Sequence, residues 1–256
     1  MRLARFSHGD KVGYAVLDDV GEGLFEISAE DFFCGAADAD RGRYFKLEET
    51  RLLAPVLPSK IVAIGLNYRA HAAEFNQDIP DEPLFFLKPS TAVIGPDEDI
   101  VYPAHMSHRV DYEGELAIVM GRCAKDVSVS EAPSHVLGYT AFNDVTARDL
   151  QGRDGQWTRA KGFDTFAPMG PWIETELDPN SVLIESFLNG DKRQSASTDD
   201  MIFNAAELVS FVSRVMTLLP GDIIATGTPP GVGKMKPGDI VEVRVEGIGS
   251  LKNTVV

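Results

Sequence analysis

The sequence predicts a mainly β fold with few helices, of the α+β class, and three observations carry that prediction. Candidate strands follow one another along the chain, separated by turn signals such as Asn189–Gly190. Only one longer stretch, 205–218, has convincing helical periodicity. Helices are therefore too sparse for alternating βα units, which would build a parallel sheet.

The elements follow in order. Residues 2–27 alternate apolar and polar and turn twice, at 7–11 and 18–23, so they read as short antiparallel strands. A polar patch from Asp38 to Arg43 comes next, then RLLAPVLPSK. Its Pro55 and Pro58 mark a boundary between a small N-terminal β-rich domain, 1–58, and a main body, 59–256. The body opens with the buried strand KIVAIGLNY and a short helical stretch from Arg69 to Phe75. Further strands are expected at 115–120, 136–143, 171–175, 182–188, 223–226 and 240–245. The helix at 205–218 should bury Leu208, Phe211, Val212 and Val215 on one stripe. PGDI occurs at Pro220 and again at Pro237, each time as a turn feeding a strand.

Composition narrows the function classes. At 256 residues with 44% hydrophobic and 25% charged side chains, the chain can bury a sizeable core. A formal charge of −15 argues against nucleic acid and anionic membrane surfaces as partners. Cys34 and Cys123 form neither a disulfide framework nor a ligand cluster, which fits a reducing cytosol. The first residues lack an apolar signal region and no run reaches membrane-spanning length, so a soluble cytoplasmic protein is expected.

The chemistry begins with VDYEGELAIVMG, residues 110–121. Read as one strand, it points Asp111, Glu113 and Glu115 to the same face, while Val110, Tyr112, Leu116, Ile118 and Met120 face the core. A strand end meeting water would explain the acids equally well. Asp144 ends a second apolar run, HVLGYTAFND. If it approaches Glu113 and Glu115, like charges ~4 Å apart repel by roughly 4 kcal/mol at an effective dielectric near 20. Such a cluster protonates or holds a cation. Oxygen ligands suit Mg²⁺ or Mn²⁺, whereas zinc would call for histidines or thiols beside the acids. Taken alone, Glu-x-Glu plus a distant Asp is a weak signal that unrelated surface acids often produce.

Three more features bear on it. Lys161 lies in the largely apolar run TRAKGFDTFAP, where its ammonium can offset a carboxylate and hold an anionic oxygen. His71 and Glu74 stand three residues apart on a helical stretch, the spacing of a carboxylate-oriented general base or of an incidental surface pair. GTPPGVGK, 227–234, fails the spacing of a phosphate loop, has Met235 where a hydroxyl belongs, and loses amide donors at Pro229 and Pro230. It reads as a rigid turn able to present Thr226 or Thr228.

Together NYRAHAAE, RVDYEGELAIVMG, FNDVTARDLQ, AKGFDTFAPMGPW and LPGDIIATGTPPGVG resemble, in order and wording, the fumarylacetoacetate hydrolase family. The likeness runs from about Lys60 to the C-terminus, and the leading unit resembles that of bacterial 2-hydroxyhepta-2,4-diene-1,7-dioate isomerase and oxaloacetate decarboxylase-like members. The resemblance implies a mixed β-sandwich roll, commonly a homodimer. It implies that Glu113, Glu115 and Asp144 ligate Mg²⁺ or Mn²⁺, that Lys161 and Gln151 contact substrate, and that Thr228 lies near its carboxylate. His71 and Glu74 match the lid dyad that activates water in hydrolytic members, and Arg69 and Tyr68 are candidate contacts to the far end of the substrate. The expected reaction is cleavage of a C–C bond in a small 2-oxo carboxylate through a metal-stabilised enolate, with acylpyruvate hydrolysis first. Oxaloacetate-type decarboxylation and the dioate isomerisation of aromatic catabolism are the alternatives within the family. Outside it stand a metal-dependent aldolase and a non-catalytic, cation-stabilised β binding module, whose fold chelation should melt without abolishing any turnover.

Overall fold

A computed structural model describes residues 1–35, 39–74, 76 and 78–256. Among the described residues strand accounts for 41% and helix for 19%, so β-structure dominates as the sequence predicts. A 12-stranded sheet runs through the molecule beside a 4-stranded and a 3-stranded sheet. Most pairs are antiparallel, but Ile223–Ala225 runs parallel to Ile61–Gly65, which makes the large sheet mixed.

The N-terminal strands Arg2–His8, Lys11–Leu17 and Gly23–Ile27 form the expected antiparallel meander. Their period of two divides the side chains between two cores. Ala4, Phe6, Ala15, Leu17, Leu24 and Phe45 pack with one another. Leu3, Val16 and Ile27, on the other face, pack with Ile61, Phe142 and Ile173 of the body. The backbone is joined as well, because Leu3 pairs with Ile173 in the strand Ala167–Glu174. Asp38, the first residue of the expected polar patch, lies outside the described residues.

In the body, the strands Ala167–Glu174, Val136–Asn143, Gly114–Met120, Ile223–Ala225, Ile61–Gly65 and Leu84–Lys88 lie side by side in that order. The 4-stranded sheet packs on one face, where Leu116 and Ile118 meet Ile184, Val243, Val245 and Leu251. Both PGDI turns work alike. Asp222 accepts the amide of Leu219 at 2.8 Å and Asp239 that of Lys236 at 2.9 Å, and Gly221 and Gly238 take positive φ. Asn189 and Gly190, with φ of 54° and 86°, close the hairpin between Leu183–Leu188 and Asp191–Ser197.

Three expectations need correction. The helix is Ala205–Val215, three residues shorter than expected, because Met216 turns extended and Leu218 bridges to Ala124. Its buried stripe is Leu208, Val209 and Val212, while Val215 is exposed. The edge strand Leu84–Lys88 was not foreseen, since its run LFFLK lacks alternation. Finally, residues 110–121 are not one strand: Val110–Tyr112 belongs to the 3-stranded sheet and Gly114–Met120 to the large one. The short helix Arg69–Glu74 forms where expected; Phe75, its expected last residue, lies outside the described residues.

Candidate active site

The break between the two strands falls at Glu113. Its amide donates to the side chain of Asn143 at 3.0 Å, and its carbonyl accepts the amide of Asp144 at 2.8 Å. The backbone thus changes sheets while Glu113 and Glu115 stay on either side of Gly114. Asp111 does not share their site, contrary to the single-strand reading. It is buried against Arg109, at 3.2 Å, and Arg148, at 3.0 Å.

Asp144 follows the strand Val136–Asn143, which pairs with Gly114–Met120. That pairing brings the carboxylate oxygens of Glu113, Glu115 and Asp144 within 4.8 Å of one another, all three buried. Lys161, at the end of the short helix Thr158–Lys161, donates to Glu113 at 2.7 Å and to Asp144 at 2.6 Å. Its ammonium also lies 5.2 Å from the centre of the Phe86 ring. Lys88 donates to the other oxygen of Asp144, and Arg148 to the other oxygen of Glu113. Glu115 is tied differently, accepting the amide of Gly227 at 2.9 Å.

These partners set the electrostatics. Burial alone would raise the Glu113 carboxyl, but Lys161 and Arg148 outweigh it and hold the pKa down at about 2. Burial pushes Glu115 the other way, well above the usual carboxylate range, with Asp144 and Glu113 adding to the rise. Burial pulls the Lys88 ammonium down against the attraction of Asp144, whereas at Lys161 Asp144 and Glu113 outweigh burial and raise it. At Glu115 the Lys161 charge and the Gly227 amide offset only part of that carboxyl's rise.

A cavity of about 340 Å³ opens over the cluster. Glu113, Glu115, Arg148, Gln151, Lys161, Thr228 and His71 line it, with Ile64, Phe86 and Trp157 as an apolar wall. His71 Nδ1 lies 3.0 Å from Glu74 Oε2, which favours the tautomer with the proton on Nδ1. Gln151 accepts from Arg148 at 2.6 Å, leaving its amide nitrogen as the end that can donate to a ligand. The Thr228 hydroxyl donates to the carbonyl of Gly114 at 2.9 Å. Arg69 is not brought to the cavity, because its guanidinium donates to the carbonyls of Asp200 and Met201. Tyr68 is fully buried in the core rather than in the cavity wall, and burial and then Glu115 push its hydroxyl pKa well above the ordinary value.

Sequence reasoning missed Lys88, Arg148 and Gln194. Lys88 ends the apolar run LFFL, a signal akin to the apolar surroundings that singled out Lys161. Arg148 precedes Gln151 by one helical turn in the helix Arg148–Asp154, and that spacing predicts their contact. Gln194 sits in DKRQSAS, which reads as an exposed hairpin arm and gives no signal.

Comparison with known proteins finds relatives along the whole chain. The profile of the Fumarylacetoacetate (FAA) hydrolase C-terminal family matches residues 60–256. The chain belongs to the fumarylacetoacetate hydrolase family. A Rv2993c-like N-terminal profile matches residues 1–55. Protein Rv2993c of Mycobacterium tuberculosis is 48% identical over 264 residues, covering 100% of this chain and 98% of its own. The mitochondrial oxaloacetate tautomerase FAHD2A of Bos taurus is 44% identical, covering 81% of this chain and 70% of its own. The crystal structure of 2-hydroxyhepta-2,4-diene-1,7-dioate isomerase from Mycobacterium marinum superposes with a TM-score of 0.90 at 48% identity, covering 100% of this chain and 98% of that one. Members of the fumarylacetoacetate hydrolase family are enzymes acting on small oxo acids, and the family generally uses a divalent metal. The residues present here fit such an ion. Three buried carboxylates offer only hard oxygen donors, and Glu115 has an environment that a dication would reverse.

Proposed function

We propose that the chain forms and stabilises the enolate of a small 2-oxo carboxylate, with Mg²⁺ or Mn²⁺ held by Glu113, Glu115 and Asp144. The observation that carries this reading is the convergence of three buried carboxylates, of which Glu113 and Glu115 line the cavity together with Lys161. When bound, the ion supplies Lewis acidity that polarises the 2-oxo group. Lys161 places a fixed positive charge in the cavity, where the enolate oxygen gains its negative charge. Gln151 donates from its amide to the same anionic head, and Thr228 holds the strand between the glutamates through Gly114. Phe86 and Trp157, packed edge to face at 5.2 Å, exclude water from one side.

The reaction we place first is proton relocation without C–C cleavage, keto–enol tautomerisation or double-bond isomerisation of a 2-oxo dicarboxylate, in which a C–H or O–H bond breaks and another forms. It is supported by what the Bos taurus and Mycobacterium marinum relatives are named for, at 44% and 48% identity. A second reading, acylpyruvate hydrolysis, is favoured by the His71–Glu74 contact. Nε2 of His71 would take a proton from water, which attacks the distal carbonyl, and the enolate leaves. The sequence alone puts hydrolysis first; the names of these relatives support the other order. An assay with Mg²⁺ or Mn²⁺ on oxaloacetate enol, 2-oxo-ene dioates and acylpyruvates, with products identified by NMR, tests both. Acceleration of enol–keto exchange supports the first reading, cleavage of acylpyruvate the second, and turnover of none of them rejects the enolate chemistry.

We also propose a homodimer, a cytoplasmic location, and separate units at 1–58 and 59–256. The homodimer is supported by the family resemblance and by Leu84 and Leu87, 49% and 44% exposed on the terminal strand of the large sheet. Sedimentation as a monomer would overturn it. The division of the chain is supported by the two profiles, which end at 55 and begin at 60.

A further inference from the structure

We propose that Gln194 is a positioning residue for the carboxylate cluster, setting the relation of Glu113 to Glu115 through the glycine between them. The inference rests on the metal reading above and goes beyond it, because Gln194 touches neither glutamate side chain.

Gly114 is held on both sides of its peptide by one closed ring of hydrogen bonds. Its amide donates to Gln194 Oε1 at 3.0 Å. Gln194 Nε2 donates to the Thr228 hydroxyl at 2.8 Å, and that hydroxyl donates to the Gly114 carbonyl at 2.9 Å. Nε2 also donates to the carbonyl of Pro229 at 2.8 Å. Three segments are thereby fixed to one side chain: the glutamate strand, the turn whose Gly227 amide holds Glu115, and the hairpin carrying Gln194. Every polar group of the Gln194 amide that this ring uses is buried, so each bond is strengthened by the low local dielectric and costly to break.

The hairpin is built for this. Gln194 is 1% exposed while its neighbours in Asp191–Ser195 are exposed. Ser186 pairs with Gln194 and Phe187 with Lys192, which leaves Arg193 as the extra residue of a bulge. A bulge re-aims the side chain beside it. Gly114 accepts this approach only because it is glycine: a Cβ there would lie 2.1 Å from Ser186 Oγ and 3.3 Å from Gln194 Oε1. A side chain at residue 114 would collide with Ser186 of the hairpin and press on the Gln194 clamp.

The test is Mn²⁺ binding, followed by calorimetry and by the EPR spectrum of the bound ion, alongside the melting temperature of the metal-free protein. Gln194→Met keeps the length and removes both ends of the clamp. Partners that orient metal ligands are typically worth roughly 10–100-fold in affinity, so Gln194→Met should weaken Mn²⁺ by about that factor and alter the EPR spectrum. Thr228→Val should break the same ring and weaken Mn²⁺ in the same direction, Thr228→Ser should keep it, and the double variant should be little worse than the weaker single one. A lower melting temperature with wild-type Mn²⁺ affinity and spectrum would make Gln194 merely structural and overturn the proposal. Should Gln194→Met fail to fold, equal affinities of Thr228→Val and Thr228→Ser would overturn it instead. Wild-type protein that binds no Mn²⁺ would reject the metal reading itself, and the inference with it.

Discussion

The amide of Gly227 donates to Glu115 Oε2 across 2.9 Å, joining the turn after the strand Ile223–Ala225 to the strand that carries both glutamates. Gly227 has φ +96°, and a Cβ there would lie 2.8 Å from that of Asn67, so glycine is what lets this amide reach the carboxyl. One neutral donor leaves Glu115 poorly compensated beside Glu113 and Asp144.

Replacing that carboxyl separates binding from stability. Glu115→Gln keeps an acceptor for Gly227 and removes the like-charge repulsion, so the metal-free protein should melt at the wild-type temperature or above it. Mn²⁺ affinity should fall by roughly tenfold or more, since one of three charged ligands is lost. Calorimetric titration and melting after chelation read the two effects, and unchanged affinity would remove Glu115 from the ligand set.

The pH dependence follows from the same group. The folded pKa of Glu115 is raised above its ordinary 4.5, so its contribution to stability is full below that value and is lost as pH rises through the raised one. Glu113 behaves in the opposite way: its contribution is present above 4.5 and is lost as pH falls through about 2. Metal-free wild type should therefore lose stability relative to Glu115→Gln from about pH 5 upward. A carboxyl binds a cation in its charged form, so the raised pKa of Glu115 should make Mn²⁺ affinity rise with pH and its binding release protons. Titrations in buffers of different ionisation enthalpy would detect that release, and a pH-independent affinity would contradict it.

Lys161 competes with any cation for Glu113 and Asp144, which it contacts at 2.7 and 2.6 Å. Lys161→Met should bind Mn²⁺ at least as tightly as wild type. The metal-free variant should lose stability on the order of 3–5 kcal/mol, the usual result of removing one partner from a buried ion pair. Added Mn²⁺ should restore much of it. Turnover of the 2-oxo acid should nevertheless fall by roughly 10²–10³, the typical worth of one group that stabilises developing charge. Near-normal kcat would make Lys161 a structural counter-ion alone.

His71 and Glu74 discriminate the two reactions. His71→Ala and Glu74→Gln should reduce acylpyruvate cleavage by roughly 10²–10⁴, the usual contribution of a positioned general base. If tautomerisation needs only the enolate platform, it should fall much less in the same variants. Equal losses on both substrates would assign the dyad to closing the cavity against water.

What the sequence determined by itself was local. Alternation in 2–27, the Asn189–Gly190 turn, both PGDI turns and the helix around Leu208 and Val212 are set by spacing and backbone preference, which neighbours along the chain suffice to express. The quoted motifs carried the resemblance to the family; Glu113 and Glu115 stood out by alternation at the mouth of a buried strand, Asp144 by ending an apolar run, and Lys161 by lying within one. Only the tertiary structure decided that Asp111 parts from Glu113 and Glu115, because the choice lies in which sheet each half of 110–121 joins. It likewise decided that Arg69 caps the carbonyls of Asp200 and Met201, that Lys88 backs Asp144, and that Gln194 reaches Gly114. Each of those contacts spans at least 56 residues of chain, and hydrogen bonds between such distant groups leave no periodicity for a sequence to display.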